Sequence, residues 1–226
     1  MNCISFRQVS RIYQTPAEPV AAVKNLTLAI PYGEFVAVTG ASGSGKTTFL
    51  NLAAGLDTPT QGEIWIRGQN IGRLNADQMA VFRRRNIGIV FQDCRLLDVL
   101  DVKDNITFSL RADGTVPDEA YIGRICRMLG ISRSLNKMPW QLSAGERQRT
   151  AIARALAAKP AIILADEPTG SLDRKNGLDV LAMLLEVNRE LGQTVVMVTH
   201  NMQAAQMAGR IIWIEDGEVK EIEKGC

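Results

Sequence analysis

The amino-acid sequence predicts an α/β fold: a parallel sheet flanked by helices, a small antiparallel β layer, and an inserted helical segment. Three observations carry that expectation. Residues 35–39, 87–91, 161–165, 194–199 and 211–215 are short apolar runs rich in β-formers, and the first, third and fourth are almost unbroken. Strands buried on both faces of a parallel sheet read this way, because neither face alternates with solvent. Helical periodicity separates several of these runs, as in 178–191, where Leu181, Leu184, Leu185 and Asn188 recur every three or four residues. The strand signal then disappears between Gln92 and Ser143, where 119–129 sets Ile122, Ile125, Met128 and Leu129 on one helical face.

The earlier runs 4–9, 26–30 and 63–67 are short and divided by turns such as Pro31-Tyr32-Gly33, which suits the antiparallel layer. A chain of 226 residues holds one large core with a smaller lobe rather than two independent domains. The expected division is 1–92 and 155–226 as the core with its β layer, and 93–154 as a helical subdomain. The 26 basic and 24 acidic residues nearly cancel, and neither sign forms the long run of a nucleic-acid arm or an acidic tail. Only Arg83, Arg84 and Arg85 cluster, which reads as a solvated helix face. Cys3, Cys94, Cys126 and Cys226 lack CxxC spacing, so neither a zinc site nor a disulfide framework is indicated, and a reducing cytosol fits best. The N-terminal stretch lacks the apolar region of a signal peptide, and no apolar run approaches the ~18 residues that span a bilayer.

Chemistry enters at four places. Gly40-Ala41-Ser42-Gly43-Ser44-Gly45-Lys46-Thr47 is a full phosphate-loop pattern, directly after the 35–39 strand and before a helical run opened by Thr48. Glycines let the backbone turn its N–H groups toward a β-phosphate, the helix N-terminus adds positive dipole, Lys46 neutralises phosphate charge and Thr47 can ligate Mg²⁺. In 161–167 an apolar strand ends in Asp166 and Glu167, on the ligand side of a parallel sheet. Asp166 suits holding Mg²⁺ through water, and Glu167 suits polarising the water that attacks a γ-phosphate. The sole histidine, His200, follows the 194–199 strand at the same sheet edge, where it can position or hydrogen-bond a phosphate. Finally, Ser143-x-x-Glu146 ahead of the helix-forming run 151–158 is a capping box, and an exposed helix N-terminus of this kind is also an anion site.

Phosphate loop, Gln92, Leu142–Glu146, Asp166-Glu167 and His200 stand in an order and spacing that resembles ABC-transporter nucleotide-binding domains over essentially the whole chain. The resemblance implies a P-loop NTPase core, ATP and Mg²⁺ as cofactors, and a homodimer in which Ser143 and Gly145 of one subunit complete the ATP site of the other. It further implies that Tyr13 stacks on adenine, that Gln92 links Mg²⁺ and the attacking water to a membrane permease, and that Ser171-Leu172-Asp173 crosses the dimer seam. Ala144 stands where the family commonly has glycine and Glu146 where it commonly has glutamine; a helix N1 position suits Ala144, and Glu146 preserves the cap. Residues 165–173, 88–92 and Leu96-Leu97 resemble the branch serving lipoprotein release, macrolide and peptide efflux and cell-division permeases, which implies export or mechanical transmission. The segment from Asp93 to Asn105, with Leu96, Leu97, Val99 and Leu100, reads either as lobe core or as a groove for a cytoplasmic helix of the permease. A GTPase would need an Asn-Lys-x-Asp motif, but Asn136-Lys137 runs on to Pro139. Non-transport ATPases of this family, acting in DNA repair or on ribosomes, usually carry a long coiled-coil insertion or two tandem ATP domains, for which 92–143 leaves no room, so no nucleic-acid partner is expected. The intact Glu167 and His200 argue against a catalytically silent subunit. The expected location is cytoplasmic, on the inner face of the membrane through the permease.

Overall fold

In the computed structural model, which describes residues 1–16 and 18–224, the apolar runs become strands of two sheets. β1 (Asn2–Tyr13) and β2 (Val20–Pro31) form a long antiparallel hairpin. β3 (Phe35–Thr39) enters the main sheet and leads through the phosphate loop into α1 (Lys46–Ala53). The chain returns to the hairpin as β4 (Gln61–Ile66) and β5 (Gln69–Asn70), giving a four-stranded layer in the order β2-β1-β4-β5. α2 (Ala76–Asn86) then leads to β6 (Ile87–Val90). The helices α3 (Val102–Ala112), α4 (Glu119–Met128) and α5 (Ala144–Leu156) follow. β7 (Ile162–Asp166), α6 (Arg174–Leu191), β8 (Thr194–Val198), the short α7 (Met202–Ala205), β9 (Arg210–Glu215) and β10 (Glu218–Lys224) complete the chain.

The main sheet runs β10-β9-β3-β8-β7-β6, with β9, β3, β8, β7 and β6 parallel and β10 antiparallel at one edge. Its two faces bury separate apolar clusters. Phe35, Ala37, Ile163, Ala165, Val195 and Met197 face α5, α6 and the helical segment, whereas Val36, Val38, Ile162, Leu164, Val196 and Val198 face α1 and the antiparallel layer. Burial on both sides is why these strands read as unbroken apolar runs. Fully buried Phe6 of β1 packs on fully buried Phe49 of α1, ring centroids 5.0 Å apart, so the antiparallel layer props the phosphate-loop helix. Such a pair contributes about 0.5–1.5 kcal/mol beyond its buried area.

Several details differ from the sequence expectation. α2 buries Phe82 alone, so it carries almost no apolar periodicity; its local signal is the Asn75–Gln78 capping box. Arg83, Arg84 and Arg85 are not a free solvated face. Arg83 donates to the Gly55 carbonyl, and Arg84 and Arg85 clasp Asp113, holding its carboxyl below the usual range. On α4 the buried face is Ile122, Ile125 and Cys126, continued by Leu129, while Met128 is half-buried. α6 starts at Arg174 under an Asp173 cap, and its buried stripe is Val180, Leu181, Leu184 and Val187. Asn188 instead donates to the carbonyls of Gly33 and Gln193. α5 runs unbroken through residue 154, so the helical segment and the core share that helix. Cys3, Cys94 and Cys126 are buried free thiols, and Cys226 lies outside the described residues.

Candidate nucleotide site

Strand register brings the motifs together. Val38 of β3 pairs with Val198 of β8, which pairs with Asp166 of β7. The phosphate loop, Glu167 and His200 therefore leave the sheet side by side at its carboxyl edge, where an open parallel sheet binds ligands.

Gly40, Gly43 and Gly45 all take positive φ, and at two of them a side chain would also collide with backbone. Gly40 (φ 147) would place a Cβ 2.0 Å from the Ile214 carbonyl oxygen, and Gly45 (φ 106) would place one 2.2 Å from that of Ala22. Gly45 is also the N-cap of α1 and offers no side chain to the first-turn N–H groups, so the helix's positive end opens onto the loop. Lys46 arches back over the loop, its Nζ donating to the carbonyls of Gly40 (2.8 Å) and Ala41 (2.6 Å). Ser44 Oγ is buried and has no hydrogen-bond partner among the described residues. Ala41, Ser42, Gly43 and Thr47 are exposed, and Thr48 is half-buried on the first turn of α1. This combination of positive dipole, lysine and orphaned hydroxyl fits a phosphate.

Asp166 is half-buried, and burial first, the charge of Glu167 second, hold its carboxyl above the usual range against Arg95 and Lys46. Glu167 adopts left-handed backbone (φ 45). Its N–H donates to the Val198 carbonyl, which carries the strand pairing one residue past β7. Its carboxylate accepts from the backbone N–H of His200 at 3.0 Å and from Thr199 Oγ1 at 3.3 Å. The Nδ1 of His200 lies 2.7 Å from Glu167 Oε1, while the imidazole itself is largely open to solvent. Thr199, fully buried, is a site residue that the sequence pattern does not separate from its strand.

Gln92 lies just beyond β6, its side chain over Gly170 and its carbonyl accepting from Ser171 Oγ at 3.1 Å. Tyr13 ends β1, in register with Val20 of β2, and Ala22 of the same strand touches Gly45 of the loop. Its hydroxyl donates to Asp57 at 2.7 Å, and the Arg11 guanidinium covers one ring face at 4.6 Å from the centroid, which limits stacking to the other face. Ser143 caps α5 in a complete capping box with Glu146 and is exposed. Gly145 packs against Asn176 at the start of α6. No hydrogen bond among the described residues joins Ser143 or Gly145 to the phosphate loop of the same chain. Glu146 also accepts from Ser134 Oγ at 2.7 Å, and the Ser143 and Ser134 hydrogen bonds, with Lys137, pull its pKa down to about 2.

The fold and this site define a phosphate-loop nucleotide-hydrolysing domain. The profile of the ABC transporter family matches residues 23–170, and the chain belongs to that family. It is 43% identical to the ABC transporter ATP-binding protein YxdL of Bacillus subtilis, across 99% of this chain and 88% of that one. It is 42% identical to the lipoprotein-releasing system ATP-binding protein LolD of Nitratidesulfovibrio vulgaris, across 93% and 91%. Its fold superposes with a TM-score of 0.87 on the ATP-binding cassette MJ0796, solved as a dimer in a post-hydrolysis state with ADP and Pi, at 40% identity and 98% coverage of both chains. The chain is thus an ATP-binding, ATP-hydrolysing cassette of the branch that includes the lipoprotein-release proteins. No helix among the described residues is long and apolar enough to cross a membrane.

Proposed function

We propose that this chain hydrolyses ATP with Mg²⁺ at the phosphate loop, closes as a homodimer around two ATPs, and drives a separate permease with few spans and a large extracytoplasmic domain. It works on the cytoplasmic face of the membrane, with 93–154 as its helical subdomain. The observation that carries the reading is the carboxylate of Glu167, held by Thr199 and His200 beside Asp166 at the sheet edge where the phosphate loop also leaves β3.

Glu167 takes the proton of the attacking water, and His200 holds that carboxylate through Nδ1. Lys46, freed from the Gly40 and Ala41 carbonyls, turns to the β- and γ-phosphates. Thr47, Gln92 and Asp166 offer hydroxyl, amide and carboxylate oxygens, the donor set of a hard divalent cation, and a cation there would offset the burial and the Glu167 charge that hold the Asp166 carboxyl above its usual range. When bound, Mg²⁺ neutralises charge that builds on the transferring phosphoryl group. Ser143 accepts from the Glu146 N–H through its oxygen, which leaves the hydroxyl proton for the partner's γ-phosphate.

The test is Glu167→Gln. Hydrolysis should fall by about 10²–10⁴ while ATP binding survives, and an ATP-bound dimer should accumulate on gel filtration. Adding Ser143→Arg should return that variant to monomer without loss of ATP binding. Monomer only in both, or dimer in both, would overturn the shared-site reading.

A further inference from the structure

The turn that follows β6 is tied to α5 by four side-chain hydrogen bonds, of which the one between Cys94 and Gln148 is buried. Within it Cys94 (φ 60) and Arg95 (φ 45) are consecutive non-glycine residues in left-handed backbone, a conformation that persists only where surrounding contacts impose it. α5 supplies those contacts. Arg154 spreads its guanidinium across the turn, Nη1 donating to the Arg95 carbonyl at 2.5 Å and Nη2 to the Cys94 carbonyl at 2.6 Å. Fully buried Gln148 donates from Nε2 to the Phe91 carbonyl at 3.3 Å and accepts from the Cys94 thiol at 2.7 Å through Oε1. Gln92 lies between the pinned residues, and Ser143 heads the same helix that does the pinning.

We infer that Gln148 and Arg154 are positioning residues: they lock the Gln92 turn to the helix whose N-terminus carries Ser143, with Cys94 as a third pin. The metal-facing amide of one half-site and the serine that serves the other then move as one body. A fork of two donors fixes direction as well as distance, which a single cation cannot do. The inference rests on the metal role proposed above for Gln92.

The experiment titrates Mn²⁺, an EPR-visible substitute for Mg²⁺, into the full chain with ATP, every variant being built on Glu167→Gln so that hydrolysis is blocked. Arg154→Lys keeps the charge but loses the fork, and Gln148→Met keeps the volume but loses both hydrogen bonds. Each should raise the Mn²⁺ concentration at half-saturation by about tenfold, the scale for groups that orient a metal ligand. A merely structural role would lower the melting temperature and the number of sites while leaving half-saturation unchanged, and that result overturns the inference. Gln92→Ala separates the two claims: if it leaves half-saturation unchanged, the metal role of Gln92 falls and the clamp with it. If Gln92→Ala shifts half-saturation and the α5 variants do not, the clamp alone falls. Should the α5 variants fail to fold, Cys94→Ala should shift half-saturation and Cys94→Ser restore it; wild-type values in both overturn the clamp.

Discussion

Replacing Glu146 with glutamine keeps the side chain's shape and one acceptor oxygen but removes the charge at the head of α5. In the folded chain that carboxylate accepts from the Ser143 N–H at 3.0 Å and from Ser134 Oγ at 2.7 Å, with Lys137 at 3.5 Å. These contacts lower its pKa from 4.5 to about 2. At about 1.4 kcal/mol per pKa unit the difference corresponds to about 3 kcal/mol. The side chain is 22% exposed, and solvent screening reduces the expected cost of Glu146→Gln to about 1–2 kcal/mol. The helix-dipole contribution alone, about 0.3–1 kcal/mol, would not account for a loss that large. Because the folded pKa is depressed, the stabilisation is fully present above the unfolded value of 4.5 and is lost as pH falls through about 2. Urea unfolding of both proteins at a pH above 4.5 and again between 4.5 and 2 should therefore show a gap that narrows toward acid. A gap that ignores pH, or a glutamine variant as stable as the wild type, would refute the reasoning.

Three further outcomes are expected. Gly45→Ala forces a Cβ to within 2.2 Å of the Ala22 carbonyl at φ 106, so the loop must distort and ATP affinity should fall at least about tenfold, the scale of a lost charge-assisted hydrogen bond; an unchanged fluorescent-nucleotide titration would count against the loop geometry. Tyr13→Ala should cost about 1–3 kcal/mol of ATP binding through lost stacking. Asp57→Ala, which releases Tyr13 and Arg11, should lose part of that, so a nucleotide titration showing no effect of either removes Tyr13 from the site. Leu97→Glu, at a position 39% exposed, should leave the melt and ATP binding intact but abolish stimulation by a reconstituted permease. A collapsed melt would mean that Leu97 is core, and unchanged stimulation would refute the groove.

The segment from Asp93 to Asn105 shows how an apolar pattern can divide. Leu96 packs into the core and Val99 is 84% exposed. Asn105, which carries no apolar signal, is fully buried and shapes the turn through bonds to Leu97, Leu100 and Asp101. Periodicity reports an average face, whereas a turn's exposure depends on which backbone groups one buried amide can reach.

Features written in contiguous residues were legible before any coordinates: the phosphate loop between β3 and α1, the acidic end of β7, the Ser143–Glu146 cap, and the parallel sheet, whose two-sided burial leaves unbroken apolar runs. Local backbone geometry and burial periodicity act over a few residues, so a few residues suffice to read them. Pairings between distant segments emerge from the packed fold alone: Thr199 and His200 on Glu167, Tyr13 on Asp57, Arg83 on Gly55, and Gln148 and Arg154 on the turn around Gln92. α2, with Phe82 as its one buried residue, and the polar edge strand β10 belong with them. Their partners are chosen by how layers pack, and hydrogen-bonding side chains of the same types occur all along the chain, so nothing in the local sequence distinguishes the ones that meet.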